Sequence, residues 1–367
     1  MYNPKSMIAD EFISDEEIRA TLAYAEENKN NIELIDSILD KARPRRDENG
    51  THCAGLNHRE ASVLLACEIP EKVQEMYKLA EEIKQAFYGN RIVMFAPLYL
   101  SNYCVNGCVY CPYHYNNKHI ARKKLTQEEV RKEVIALQDM GHKRLALEAG
   151  EHPTMNPIEY ILESIDTIYN IHHKNGAIRR VNVNIAATTV ENYTKLKDAG
   201  IGTYILFQET YNKKNYEALH PTGPKSDYAY HTEAMDRAMQ GGIDDVGIGV
   251  LFGLETYRYD FVGLMMHAEH LEAVFGVGPH TISVPRIKRA DDIDPSTFDN
   301  GISDEIFAKL CALIRISVPY TGMIISTRES KEVREKVIRL GVSQISGASK
   351  TSVGGYSEPE AEEENSE

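Results

Sequence analysis

The chain has 367 residues, of which 42% are hydrophobic and 26% are charged, so it has enough apolar residues for a large buried core. Its net charge of −14 argues against a nucleic-acid partner, and no apolar run approaches the roughly 18–20 residues of a membrane span. The first residues lack an apolar signal segment, so we expect a cytoplasmic chain whose clustered cysteines are reduced and bind metal.

Residues 1–88 are predicted to form helices. The Ser14–Glu17 stretch has the Ser-x-x-Glu spacing of a capping box, and it opens a segment whose apolar residues recur every three or four positions. A later helix has Pro70 in its first turn and ends before Gly89. Between these helices, residues 42–55 have the composition of a loop.

Residues 89–350 contain short β-rich runs that alternate with helical stretches, one of which has a Thr126–Glu129 capping box. Apolar strands separated by helices indicate a parallel sheet covered on both faces. The predicted fold class is α/β, a (β/α)8 TIM-type barrel or a more open variant, with an N-terminal helical extension. An acidic, disordered tail is predicted over 351–367. The eight candidate strands are 92–100, 144–150, 180–186, 203–209, 245–253, 280–286, 322–328 and 342–349.

The first candidate strand runs into a loop with three closely spaced cysteines, Cys104, Cys108 and Cys111. This spacing suits the thiolate ligands of an iron–sulfur cluster, and three ligands leave one iron open, as a catalytic metal needs. Two alternatives stay open, namely a structural zinc with His114 as its fourth ligand and three unrelated thiols. The isolated cysteines are predicted to be buried and structural. They are Cys53, Cys67 and Cys311.

The Cys-x3-Cys-x2-Cys loop after the first strand resembles the signature of radical S-adenosylmethionine (radical SAM) enzymes. The resemblance implies that the three cysteines hold a 4Fe–4S cluster and that SAM chelates the open iron. It also implies that residues at several strand ends contact SAM. These are Tyr110 and Gly249 for the adenine, Gly150 and Glu151 for the amino group, Glu209 for the ribose, and His231 or Arg237 for the carboxylate.

Longer phrases narrow the resemblance. "FQETY", "LHPTGPKSDY", "STRES" and "TSVGGYS" are similar to phrases in the tyrosine lyases of FeFe-hydrogenase maturation and of thiazole biosynthesis. This implies cleavage of the Cα–Cβ bond of L-tyrosine to p-cresol and dehydroglycine, the precursor of carbon monoxide and cyanide in the H-cluster. It further implies an electron donor such as ferredoxin or flavodoxin, and other hydrogenase maturases as partners.

Hydrogenase-maturing members of this branch carry a second cysteine motif and a second cluster beyond "TSVGGYS". Here no cysteine follows Cys311, so we expect tyrosine cleavage but not a finished iron–carbonyl–cyanide product. Two other functions stay open. One is a lyase that makes dehydroglycine for thiazole or cleaves another aromatic amino acid, and the other is a metal-bearing binding or scaffold protein without catalysis.

The carboxylate of tyrosine is best bound by an arginine fork. Arg328 ends the seventh candidate strand and is our choice for this contact, with Ser326 on the same face by the strand period of two. The alternative for Arg328 is an ion pair with Glu329. His280 begins the sixth candidate strand and is expected near the phenol, and Arg286 at its end is expected to contact substrate or SAM.

Overall fold

Eight parallel strands close into a barrel in this computed structural model, which describes residues 1–290, 293–347, 350 and 352–357. They confirm the predicted (β/α)8 barrel, and each of the eight candidate runs supplies one strand. A short hairpin precedes the barrel, and the last strand closes the ring against the first. In chain order the strands are β1 (Arg45–Asp47) and β2 (Gly50–His52) of the hairpin, then β3 (Val93–Ser101), β4 (Arg144–Ala149), β5 (Arg180–Asn184), β6 (Tyr204–Ile205), β7 (Val246–Gly249), β8 (Thr281–Ser283), β9 (Gly322–Ser326) and β10 (Gln344–Ser346).

Five helices precede the barrel and the others connect its strands. None of these helices, in the part of the chain that the structure describes, is both long and apolar enough to cross a bilayer. Their bounds are α1 (Ala9–Phe12), α2 (Asp15–Asn28), α3 (Ile32–Ala42), α4 (His58–Ala66), α5 (Pro70–Phe87), α6 (Gln127–Asp139), α7 (Ile158–Tyr169), α8 (Val190–Asp198), α9 (Lys213–Leu219), α10 (Tyr228–Thr232), α11 (Ala234–Gln240), α12 (Tyr257–Phe275), α13 (Asp304–Ser317) and α14 (Lys331–Leu340).

Side chains inside the barrel form layers. A small apolar cluster lies in the barrel interior nearer the amino ends of the strands and consists of Phe95, Ala146 and Ile324. Because alternate residues of a strand share a face, Tyr99 and Glu148 point into the same lumen nearer the carboxyl ends of β3 and β4. Tyr99 and Glu148 are register partners, and Glu148 is in turn the partner of Asn184 on β5. Polar groups therefore gather at the carboxyl ends of the strands, where barrel enzymes place their chemistry.

A network of charged side chains joins the N-terminal helices to α12. His58 has both ring nitrogens on carboxylates, with Nδ1 2.8 Å from Glu269 Oε2 and Nε2 2.9 Å from Glu17 Oε1. Ser14 caps α2 as predicted, by accepting from the backbone N–H of Glu17. The Glu17 carboxylate turns instead to His58 and Arg59, so the predicted capping box is only half formed.

Residues 42–55, predicted as a loop, contain the β1–β2 hairpin. Asp47 pairs with Gly50 across a two-residue turn, and the Asp47 carboxylate accepts the backbone N–H of Asn49 at 2.7 Å. Gly50 has φ +117°, a conformation that glycine adopts without strain. The loop prediction is wrong because both strands are polar and exposed or nearly so, which leaves no alternation of hydrophobicity to detect.

Residues 352–357, at the start of the predicted tail, pack against the barrel. The Glu133 carboxylate on α6 accepts the backbone N–H groups of Tyr356 and Ser357, each at 2.8 Å. The Tyr356 hydroxyl donates to the carbonyl oxygen of Pro97 at 2.8 Å. The first part of the predicted tail therefore has contacts with the barrel, and the rest of it lies outside the described residues, so the disordered tail over 351–367 stays a prediction.

Candidate active site

Three free thiols lie in the loop that follows β3, with Cys108 buried and Cys104 and Cys111 partly buried. Burial raises the pKa of the Cys108 thiol to about 11 and that of Cys111 to about 12, because a thiolate loses its hydration there. Bound iron would supply the positive charge that thiolates need at these positions. Among the described residues no three His, Cys, Asp or Glu side chains converge on a single ion, whereas the thiolates of a cluster each bind a different iron.

A second loop, residues 219–225, lies against the cysteine loop, and we name it the strap. The backbone N–H of Gly107 donates to the carbonyl oxygen of Thr222 in the strap at 3.0 Å. The side-chain oxygen of Asn106 accepts the backbone N–H of Lys225 at 2.9 Å. These bonds fix the strap to the cysteine loop, so side chains of the strap stand beside the thiols.

The end of β4 is also joined to the cysteine loop. The Asn106 side-chain nitrogen donates to Glu151 Oε2 at 2.6 Å, and the backbone N–H of Val105 donates to the Glu151 carbonyl oxygen at 2.8 Å. A Cβ atom at Gly150 would lie 2.4 Å from the carbonyl oxygen of Tyr103, so this close approach requires glycine. The structure thus brings Gly150 and Glu151 to the cysteines, as the sequence predicts for a SAM site.

Glu209, beyond the end of β6, combines backbone strain with a buried charge. Its φ is +70°, which is uncommon for a residue other than glycine and is typical of functional sites. Its Oε1 lies 2.8 Å from Nζ of Lys225 in the strap. Burial works to lower the pKa of Lys225, but the Glu209 carboxylate and the nearby Cys108 sulfur raise it above its ordinary value. A fixed ion pair therefore stands next to the thiols.

Tyr110, immediately before the last cysteine of the loop, is buried against the strap. Its ring centroid lies 5.6 Å from Nζ of Lys225, and its hydroxyl lies 2.7 Å from Nε2 of His220. The strap therefore fixes the position of the aromatic ring that the family resemblance assigns to the adenine.

Three other residues that are predicted to contact SAM make contacts with other parts of the protein. A Cβ atom at Gly249 would lie 2.9 Å from the ring of Phe207, so close packing of β7 accounts for this glycine. His231 Nε2 lies 2.9 Å from the carbonyl oxygen of Phe207, and burial lowers the pKa of His231 well below its usual value. Arg237 Nε donates to the carbonyl oxygen of Thr188 at 2.9 Å. Contacts of these three residues with SAM stay predictions.

Tyr99, Tyr113 and Glu148 line the lumen beside the cysteine loop. The two tyrosine rings meet edge to face with their centroids 6.0 Å apart. Glu148 and Cys111 are electrostatic neighbours of both tyrosines. Burial raises the pKa of Glu148 to about 8, although a hydrogen bond with the side chain of Asn184 opposes the shift. A carboxyl group with such a shift, in a cleft, is typical of a functional site.

Arg328 lies two residues beyond the end of β9 and is an electrostatic neighbour of Tyr99. Its guanidinium donates to a backbone carbonyl at 2.9 Å, and its backbone N–H donates to Ser326 Oγ at 3.1 Å. Arg328 and Ser326 therefore lie together at the carboxyl end of β9, as predicted. In the described part of the chain the Glu329 carboxylate binds Arg286 and not Arg328, so the alternative ion pair does not form.

Two predicted substrate contacts are corrected by the geometry. Arg286 uses Nε and Nη2 to bind Glu329 at 2.9 and 2.6 Å, and Nη2 also lies 2.6 Å from Asp304, so its fork is occupied by structural ion pairs. His280 precedes β8 at its amino end, with Nδ1 3.4 Å from Asp245 Oδ1. The cysteine loop lies at the carboxyl ends of the strands, so His280 is at the opposite mouth of the barrel, away from a substrate there.

The sequence reasoning missed Glu148 and Lys225. Glu148 carried a detectable signal, because it is an acidic residue inside an apolar strand run and shares the inward face with Ala146. Lys225 carried none, because its place beside Glu209 depends on how the strap folds over the cysteine loop.

Comparison with known proteins gives two matching family models, the Radical SAM superfamily over residues 98–265 and the Biotin and Thiamin Synthesis associated domain over residues 283–363. A solved structure of HydG, a maturase of the [FeFe]-hydrogenase, is 56% identical with a TM-score of 0.87, over 94% of this chain and 74% of that chain. The FeFe-hydrogenase maturase HydG from Carboxydothermus hydrogenoformans is 42% identical with a TM-score of 0.85, over 96% of this chain and 79% of that chain. The 2-iminoacetate synthase of Escherichia coli (strain K12) is 30% identical over 322 residues, which are 86% of this chain and 82% of that protein. The chain belongs to the radical SAM superfamily, in the group that contains HydG and 2-iminoacetate synthase.

Proposed function

We propose that this chain is a radical SAM lyase that cleaves the Cα–Cβ bond of L-tyrosine to p-cresol and dehydroglycine. One observation carries the proposal: the three-cysteine loop adjoins a lumen that holds the Glu148 carboxyl group, and Arg328 is an electrostatic neighbour of Tyr99 in that lumen, so a partner is at hand for each charged group of an amino acid. The similarity to HydG and to 2-iminoacetate synthase supports it, since 2-iminoacetate is another name for dehydroglycine.

Cys104, Cys108 and Cys111 would hold a 4Fe–4S cluster with one iron open for SAM. The fit is chemical, because three free thiols share one loop and two of them need a neighbouring cation to ionise. Glu151 and Glu209 offer carboxylates beside this loop for the polar groups of SAM. When bound, the reduced cluster and SAM supply the radical that takes a hydrogen atom from the substrate.

The lumen would bind tyrosine through both of its charged groups. The Arg328 guanidinium suits the carboxylate, and Glu148 suits the ammonium group. Because burial raises the pKa of Glu148 to about 8, this carboxyl group keeps its proton near neutral pH until a cation lies beside it. Tyr99 and Tyr113 offer an aromatic wall for the phenol ring. The guanidinium group, the carboxyl group and the aromatic wall together would orient the bond to be broken.

The fate of dehydroglycine follows from the relatives. The higher identity to HydG favours a role in FeFe-hydrogenase maturation, with an electron donor such as ferredoxin or flavodoxin and other maturases as partners. Supply of dehydroglycine for thiazole is the second candidate, because 2-iminoacetate synthase is similar over 86% of this chain. Measurement of carbon monoxide and cyanide formed by the active enzyme would separate the two, since only the first function carries dehydroglycine on to these products.

The activity test uses the full chain, reconstituted with iron and sulfide without oxygen. Dithionite, SAM and L-tyrosine are added, and p-cresol and 5′-deoxyadenosine are measured. We expect both products in similar amounts. Absence of both from a cluster-loaded protein would overturn the proposal, and 5′-deoxyadenosine without p-cresol would show that tyrosine is the wrong substrate.

A matched pair of cysteine variants controls for folding. Cys108→Ala removes a thiol of the loop, and Cys311→Ala removes a fully buried thiol of α13 that lies outside the site. We expect Cys108→Ala to lose the cluster and both products, whereas Cys311→Ala keeps them. Equal loss in the two variants would mean that the thiols act only through stability.

A further inference from the structure

Lys225 is an uncommon residue in its setting. It is a lysine whose side chain is 16% exposed, and its ammonium group lies 2.8 Å from Glu209 Oε1 next to the cysteine loop. We propose that Lys225 is a positioning residue with two tasks: it compensates the negative charge of the cluster, and it orients the Glu209 carboxylate toward SAM. We rest this inference on the proposed function, because both tasks need the cluster and SAM.

The strap holds Lys225 in place through its backbone. Asn106, between the first two cysteines, accepts the backbone N–H of Lys225 and donates its side-chain N–H to Glu151. Gly223 has φ +92°, and a Cβ atom there would lie 2.3 Å from Asn106 Oδ1. A bulkier residue at position 223 would push the strap away, so the chain is built for a close contact between the strap and the cysteine loop.

The ammonium group of Lys225 lies beside the cysteine loop. Its Nζ is 5.6 Å from the ring centroid of Tyr110, the residue just before Cys111, and the backbone N–H of Lys225 donates to Asn106, the second residue after Cys104. A cluster with three thiolate ligands is negatively charged, and its reduction adds another electron, so a fixed ammonium group nearby favours the reduced state.

The second task follows from the two oxygens of Glu209. Oε1 binds Lys225, and Oε2 has no hydrogen-bond partner among the residues that the structure describes. The positive φ of Glu209 fixes the direction in which its side chain leaves the backbone beyond the end of β6. Lys225 thus holds one oxygen while the other remains to accept hydroxyl groups of the ribose. Loss of Lys225 would free the carboxylate and leave it without its buried partner.

The test compares Lys225→Met, Lys225→Arg and the matched control Lys213→Met, whose ammonium group pairs with Asp10 on the surface. Each protein is loaded with cluster without oxygen. The reduction potential is measured by EPR-monitored titration, and SAM affinity is measured by equilibrium dialysis. We expect Lys225→Met to have a more negative potential and a roughly tenfold higher Kd for SAM. Lys225→Arg should restore most of the potential, and Lys213→Met should match the parent chain.

A variant that should shift the reduction potential in the opposite direction keeps the inference falsifiable if Lys225→Met folds poorly. Glu209→Gln removes the opposing carboxylate, so the unneutralised ammonium group should make the potential more positive. The inference is overturned if Lys225→Met matches Lys213→Met in both measurements, or if Glu209→Gln leaves the potential unchanged. Failure of the parent chain itself to hold a cluster or bind SAM would instead overturn the proposed function.

Discussion

The hydroxyl of Tyr110 lies 2.7 Å from Nε2 of His220, and the direction of this hydrogen bond is fixed by the other ring nitrogen. His220 Nδ1 lies 2.6 Å from the carbonyl oxygen of Tyr216, so Nδ1 carries the proton and Nε2 accepts from Tyr110. Burial and the charge of Lys225 lower the pKa of His220 to about 3, which keeps the ring neutral. His220 of the strap therefore holds Tyr110 of the cysteine loop in place, and it does so in a single tautomer.

Tyr110→Phe should destabilise the protein by about 1–3 kcal/mol, because it leaves Nε2 of His220 buried without a donor. The free energy of unfolding of the metal-free chain, from urea denaturation, measures this. Tyr115→Phe is the control, since that tyrosine lies in the same loop and is 48% exposed. Equal stability of the two variants would contradict a structural role for the hydrogen bond.

Gly150→Ala should prevent cluster loading while the barrel still folds. The added methyl group would lie 2.4 Å from the carbonyl oxygen of Tyr103, so the start of the cysteine loop must move. Iron and sulfide content after anaerobic reconstitution measures the effect, and circular dichroism checks the fold. Gly301→Ala is the control, because a Cβ atom there meets nothing within 4 Å. Normal iron content in Gly150→Ala would show that the loop tolerates this shift.

Arg328→Ala and Arg286→Ala should separate binding from stability. Arg286→Ala leaves Glu329, which is 5% exposed, with Lys288 at 3.3 Å as its remaining ion-pair partner among the described residues, so we expect a loss of about 1–3 kcal/mol in unfolding free energy. Arg328 is exposed, so Arg328→Ala should change stability by less than about 0.5 kcal/mol. It should instead raise KM for tyrosine by roughly tenfold or more.

Steady-state p-cresol formation and urea denaturation measure the two effects. Lysine lacks the planar guanidinium group that can bind both oxygens of a carboxylate, so Arg328→Lys should recover only part of the affinity for tyrosine. A stable Arg286→Ala variant with weakened tyrosine binding would reverse the two assignments and restore the original expectation for Arg286.

The sequence predicts the barrel well because most strand runs are largely apolar and helix signals, such as the full capping box at Thr126 and Glu129, separate them. The three cysteines and Gly150 are predictable for a related reason, since their chemistry is local to one loop and one strand end. Lys225 is not, because its partner comes from the fold of the strap. Glu148 is detectable as an acidic residue inside an apolar strand run, but its partners come from the strand register. For His280 the strand is predicted correctly, but the residue lies at the amino end of that strand and the site lies at the carboxyl ends.

Glu148→Gln should make the protein more stable at alkaline pH and less active. Burial raises the pKa of Glu148 from its ordinary value of 4.5 to about 8. Between these values the folded chain holds a proton that the unfolded chain has lost, so the stability of the parent chain falls as pH rises from 4.5 to 8. Glutamine keeps the shape without the ionisation, so this part of the slope disappears.

Urea denaturation at a series of pH values measures the slope, and kcat/KM for tyrosine measures the function. The parent chain and Glu148→Gln should have similar stability near pH 4, and Glu148→Gln should be the more stable near pH 8. At pH 8 the variant should also turn over tyrosine more slowly, because the ammonium group of tyrosine has lost the Glu148 carboxylate as its partner. Glu163→Gln, at an exposed position of α7, is the control and should keep the parent slope. An unchanged slope in Glu148→Gln would mean that this carboxyl group titrates normally, and the lumen would then lack the poised acid that we assign to the substrate ammonium group.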